Sequence, residues 1–180
     1  MKRIFVIVLL LSCQLRFFAQ RCESFSYYKA QEAQDALIAD KVKVIESFVN
    51  GQLQNHVAGR GNGNETIIKI PVVVHILYHS PEEKISDAVV QSQIDVLNKC
   101  FRRLNADTIK TPLRFQSVAA DCGIEFQLAT ADVRRRSTSG IIKKYTPVAK
   151  WKMDDKMKFN TSMGDDAWDS KSYLNIWVCN

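Results

Sequence analysis

The run IPVVVHILYH, residues 70–79, constrains the fold more than any other stretch. It is β-branched and almost continuously apolar, so both faces of the strand it forms need cover. An alternating pattern would allow one wet face, whereas this one demands a place inside a sheet. Pro71 cannot donate to a ladder, which predicts an irregular start to the strand.

Cover for one face follows shortly after. Ile85-Ser86-Asp87 reads as a helix start, with Ser86 as N-cap, Asp87 in the first turn and Ile85 able to staple onto Val90. Val90, Ile94, Leu97, Phe101 and Leu104 recur at steps of four and three, giving one apolar stripe. The spacing predicts a helix over Ser86–Asn105, of about five turns, lying flat on a sheet. Further strand candidates are GIEFQLAT, GIIKKYT, KMKF and YLNIWVCN. A strand, a crossover helix and more strands give an α/β class with a mixed sheet. Gly164-Asp165-Asp166 reads as a turn.

The remaining chain divides by composition. Residues 1–19 have a basic start (Lys2, Arg3), an apolar run from Ile4 to Leu11 and small Ala19, the pattern of a secretory signal. The alternative is a lipoprotein box, Leu10-Leu11-Ser12-Cys13, with Cys13 lipidated; only that reading brings in a membrane. Both readings put the protein outside the cytoplasm, secreted or periplasmic. Residues 20–54 are polar and helix-forming, with a partial apolar stripe at Leu37, Val44, Ile45 and Phe48. Residues 55–66, rich in Gly and Asn, read as an exposed linker, and 67–180 as the folded domain.

Charge excludes one class of partner. The formal +6 includes Lys2, Arg3 and Arg16, so cleavage after Ala19 leaves +3, which is no case for nucleic acid. That cleavage also removes Cys13 and leaves Cys22, Cys100, Cys122 and Cys179, which allow three complete disulfide pairings or none. Cys100, near a helix end, and Cys122, before a strand, stand as one candidate pair.

Few residues suggest chemistry. Of the three histidines, His56 falls in the linker, while His75 and His79 share a strand face. Four residues apart in a strand they are about 13 Å apart, too far to grip one ion. His75 therefore reads as a packed, hydrogen-bonded strand residue and His79 as exposed. Arg134-Arg135-Arg136 reads as a solvated hairpin loop, with anion contact as the alternative. Asp165, Asp166 and Asp169 do not follow a calcium-loop pattern. The residues alone mark no catalytic group.

Four ordered stretches add a resemblance: IPVVVHILYH, ISDAVVQSQIDVLNKCFRRLNAD, GIEFQLATAD followed by TSGI, and YLNIWVCN. Together they resemble the pappalysin/cytophagalysin family of secreted zinc metallopeptidases, a branch of the metzincins, over Ile67–Asn180. The resemblance implies a twisted mixed β-sheet with a backing helix at Ser86–Asn105, and residues 20–54 as a pro-segment. It implies that Tyr173–Cys179 leads into a helix bearing H-E-x-x-H-x-x-G-x-x-H, with zinc as cofactor and a protein or peptide as substrate. It also admits calcium. That motif is not among these 180 residues, so the domain stops short of the zinc-binding helix and the chain alone is expected not to hydrolyse peptides. Cys22 is the one metal ligand the resemblance suggests, as a latent-form thiolate on zinc, although Glu23 departs from the family's glycine. A substrate-binding edge strand is implied within 140–160, at either IIKKYT or KMKF. The rival reading is a non-catalytic exported or lipid-anchored binding domain.

Overall fold

The computed structural model describes residues 24–35, 37–56 and 67–180, the side chains of 53–56 excepted. It divides into two units, Met1–Gly61 and Asn62–Asn180. In the first, the expected helical stretch is two helices, α1 (Ser24–Gln34) and α2 (Leu37–His56). They part at Asp35, whose Oδ1 accepts from the Leu37 N–H at 2.9 Å and so satisfies an orphan donor of α2. α1 buries no residue, and Val44, Ile45 and Phe48 of α2 are exposed. No described helix is long and apolar enough to cross a membrane.

In the second unit, β1 (Ile68–Tyr78) is the strand expected from the apolar run, with Val72 to Leu77 all buried. α3 (Asp87–Phe101) follows, then the short α4 (Leu113–Gln116), β2 (Ile124–Leu128), β3 (Ile141–Tyr145) and β4 (Leu174–Val178). β2, β3 and β4 all pair with β1, and each pairing is parallel. The α/β class holds, and the one antiparallel contact among the described residues is an isolated bridge between Ala131 and Ser137.

β2 and β3 lie end to end on the same edge of β1. Val72 O accepts from the Ala129 N–H and the Val74 N–H donates to Gly140 O, each at 2.8 Å. Backbone groups two residues apart on a strand point the same way, so both bonds lie on one side. The chain therefore leaves the sheet after β2, makes an excursion over 130–139, and rejoins the same edge as β3. Gly140 makes this re-entry possible: its φ is +71°, and a Cβ there would lie 2.6 Å from Ala129 N. β4 takes the opposite edge, in register from Val72↔Leu174 to Ile76↔Val178.

That topology corrects one expectation. β1 runs through Pro71 without a break, Pro71 standing in register with Gln127. Odd-numbered backbone groups of β1 face β4, and the β4 pairing starts only at Val72, so no ladder bond needs the missing N–H.

Side chains divide by parity. Val72, Val74 and Ile76 face α3 and form the core with Val90, Ile94 and Phe126. Ile85 packs against this cluster as a staple would, and Ser86 Oγ accepts from the Val89 N–H at 3.4 Å. The helix is shorter than expected, ending at Phe101. Arg103 turns left-handed at φ 52°, the Leu104 N–H returns to Lys99 O at 2.7 Å, and Leu104 is 73% exposed, off the stripe. KMKF is not a strand: 3-10 turns occupy Asp155–Lys158 and Asn160–Ser162. Cys100 and Cys122 are exposed free thiols, and Cys179 is a half-buried one.

Candidate functional site

Val73, His75 and Leu77 of β1 point away from α3, and all three are buried. The segment after β3 crosses this second face. His75 Nδ1 lies 2.7 Å from Asp165 Oδ2, and its Nε2 lies 3.1 Å from Asn175 Oδ1 on β4. The imidazole stacks on Trp177 at 4.8 Å with 12° between the planes. The Trp177 indole N–H donates to Asp165 O at 3.0 Å, and Lys144 Nζ reaches Asp165 Oδ1 at 3.2 Å. Lys144 also donates to Gly164 O and to Asn160 Oδ1. Residues from β1, β3 and β4 thus meet around Asp165 of the crossing segment: His75 and Lys144 at its carboxylate, Trp177 at its backbone carbonyl.

His75 is the packed, bonded residue expected from the sequence. Asp165, read there as part of a turn, is instead its partner. The sequence signalled only that an imidazole inside an apolar strand needs acceptors, not which residues supply them. Buried at 0% exposure, His75 has no access to a substrate proton.

The other candidates lie apart. His79 is exposed beyond the strand end, with Nδ1 3.2 Å from Thr146 O. Arg134–Arg136 form the tip of the 130–139 excursion, which the Ala131–Ser137 bridge closes as a small hairpin. Asp132 shapes that tip: its Oδ1 accepts from the Arg134 and Arg136 N–H groups at 2.8 Å each, and its Oδ2 from Arg136 Nε at 2.7 Å. The Arg136 N–H holds the Asp132 carboxyl below its ordinary value; burial opposes this, and the Arg136 guanidinium and Arg134 N–H reinforce it. Burial pushes the Cys179 thiol up, which disfavours the thiolate needed for nucleophilic or ligand chemistry. Asp166 binds Asn160 through both its N–H and its side-chain amide, while Asp169 caps the turn before β4 by accepting from Lys171 N and Ser172 Oγ. Cys22, Cys13 and residues 57–66 fall outside the described residues, as does the His56 side chain.

Among the described residues no group of three or more His, Cys, Asp or Glu is placed to hold a metal. With His75 committed to Asp165 and Asn175, the donor set present does not fit a catalytic zinc. What the domain does present is an edge. The backbone groups of β3 that face β1 are the even-numbered ones, as the bonds at Gly140 and Thr146 show. Those of Ile141, Lys143 and Tyr145 therefore face outward, with no described strand beyond them. Of the two segments named for an edge strand, IIKKYT supplies it.

No protein-family model matches the chain, and no curated protein does. Solved structures do match. Mature mirolysin from Tannerella forsythia, in complex with a cleaved peptide, is 46% identical, with a TM-score of 0.61 over 63% of this chain and 42% of its own. Mirolysin in complex with a compound numbered 9 gives 46% identity and a TM-score of 0.62, over 64% and 43%. A Tannerella forsythia promirolysin mutant gives 39% identity and a TM-score of 0.67, over 86% and 48%. The chain spans less than half the length of each. Its fold is a metallopeptidase-related one.

Proposed function

We propose that this chain is the amino-terminal part of a secreted zinc metallopeptidase of the pappalysin/cytophagalysin type, made as a zymogen. Residues 1–19 would direct export, 20–54 would form the pro-segment, and 67–180 would be the upper scaffold of the catalytic domain. The observation that carries the reading is the 46% identity to mature mirolysin over 63% of the chain. The promirolysin match reaches 86% of the chain, and this added coverage supports a pro-segment ahead of the domain.

In this reading the scaffold binds and positions. The outward backbone groups of β3 could take an extended peptide by main-chain pairing. Zinc and its general base would be supplied by residues other than the described ones, and no catalytic step is assigned to this chain. Cys22 would be the thiolate that holds the zymogen latent.

The test begins with the gene, read past the codon for Asn180 in all frames, and continues with the purified proteins. The 180-residue chain should show no chelator-sensitive peptide hydrolysis. A longer product carrying H-E-x-x-H-x-x-G-x-x-H should show it, and Cys22→Ala in that product should raise activity before processing. Chelator-sensitive turnover by the short chain would overturn the reading, as would a longer product that binds no zinc.

A further inference from the structure

Independently of the proteolytic reading, we propose that the Arg134–Arg136 hairpin and the cleft beside it form a docking surface for an acidic peptide. The tip is firmly held for a surface loop. Asp132, buried among exposed neighbours, takes every backbone N–H of the three arginines. Its Oδ1 accepts from Arg134 and Arg136, and its backbone O from Arg135, each at 2.8 Å. The Asp132 N–H returns to Arg136 O at 2.8 Å, which closes the turn from the other side. Arg135 is kept left-handed at φ 61°, a conformation an arginine rarely adopts unaided. That order exceeds what joining β2 to β3 requires, because bonds to Val72 and Val74 already fix the two ends of the excursion.

What the order achieves is display. Arg136 folds back, with Nη2 2.6 Å from Asp132 Oδ2. Arg134 and Arg135 are exposed, and no described carboxylate pairs with their side chains. With the backbone already fixed, two guanidinium forks lose less freedom when a carboxylate arrives.

The hairpin shares a wall with a cleft at the amino ends of β1 and β4. Tyr173 lines that cleft and donates its hydroxyl to Ala131 O, at the base of the hairpin, at 3.0 Å. The cleft measures about 360 Å³, and Lys69, Lys171, Ser170 and Ser172 also line it. Lys69 and Lys171 are exposed and carry no ion pair among the described residues. The nearby carboxylate, Asp169, is turned onto the Lys171 N–H and the Ser172 hydroxyl. Four unpaired cations thus lie on either side of Tyr173, against one carboxylate that is already engaged. On β3, by contrast, Lys143 is matched by Asp87 and Lys144 by Asp165.

Carboxylates suit this surface, because guanidinium forks take them two bonds at a time and serine hydroxyls can bond a peptide backbone. A concave site beside a hairpin fits an extended chain. A bilayer would need apolar anchors, and of residues 133–136 only Val133 is apolar.

Fluorescence anisotropy of labelled hexaglutamate with the full 180-residue chain tests this. The unaltered chain should bind at low salt and release the peptide as salt rises. Arg134→Gln with Arg135→Gln should weaken binding about tenfold. Lys150→Gln with Lys152→Gln removes the same charge near the other end of β4, beside the Trp151–Asn180 bond, and should change it little. Asp132→Asn separates ordered display from bulk attraction. It raises the net charge by one, so bulk attraction predicts tighter binding, whereas display predicts weaker binding. No binding at low salt, equal weakening by the two double variants, or equal or tighter binding by Asp132→Asn would each overturn the proposal. If Asp132→Asn does not fold, the two double variants decide.

Discussion

On the α3 side of β1, Val72, Val74 and Ile76 meet Val90, Ile94 and Phe126; on the reverse side, Val73 and Leu77 flank His75. Both sides are closed to water, but they are closed by different means. The apolar side is non-directional, so many arrangements of similar volume would serve. The polar side depends on donors and acceptors meeting one to one, and each missing partner strands another group. One strand therefore carries a tolerant face and an exacting face, alternating residue by residue.

The largest effects should come from cutting each face at its centre. His75→Ala removes one bond each from Asp165, which keeps Lys144, and from Asn175, which keeps Trp168, and leaves a cavity; it should cost about 2–5 kcal/mol. Ile76→Ala should cost about 2–5 kcal/mol through lost transfer energy and a residual cavity. Denaturant unfolding followed by tryptophan fluorescence measures both. His75→Leu sharpens the contrast: it fills the space without the bonds, and should remain well below the unaltered chain. Equal stability would reduce the far face to simple packing.

A smaller effect tests a polar tie on the apolar side. Asn98 Nδ2 donates to Phe126 O at 2.9 Å, and its Oδ1 accepts from the Phe126 N–H at 2.7 Å. The side chain thus occupies the outer edge of β2 as a neighbouring strand would. Asn98→Ala should cost about 1–3 kcal/mol, and the Phe126 amide should exchange faster while that of Val74 does not. Uniform acceleration would mean that the two faces unfold as one unit.

The smallest effect is a response to acid, local to the excursion. A carboxyl held below its ordinary value, as at Asp132, contributes stability above its unfolded value, and the contribution is lost as pH falls through the folded one. Amide exchange at Arg134 and Arg136 should therefore accelerate below about pH 4, leaving the core amides unchanged. Asp132→Asn should remove that dependence.

How much of this could be read from the sequence follows the same division. The apolar run of β1, the stripe of α3, the Ser86 cap and the Ile85 staple were legible because they are local and periodic. The last turn was not, because Leu104 keeps the helical period while Arg103 has already turned left-handed. KMKF has the composition of a short strand, but its backbone winds into 3-10 turns, and a Cβ on Gly164 would collide with Met157 O. Asp165 was missed because its role is set by a residue ninety positions earlier, a distance no periodicity spans. Pro71 was tolerated for the expected physical reason, but only the position of β4 reveals that nothing there needed its N–H.

The 130–139 excursion has a practical consequence. Its two ends are bonded to Val72 and Val74, neighbours on one side of one strand, so the sheet edge is already complete without it. What lies at the tip is therefore uncoupled from the register of β2 and β3, and the tip works as a socket. Doubling the length of such a loop costs only about 0.6 kcal/mol of closure entropy. A reporter peptide, or a whole guest domain with adjacent termini, could be grafted between Val133 and Arg136 and carried by the scaffold as cargo.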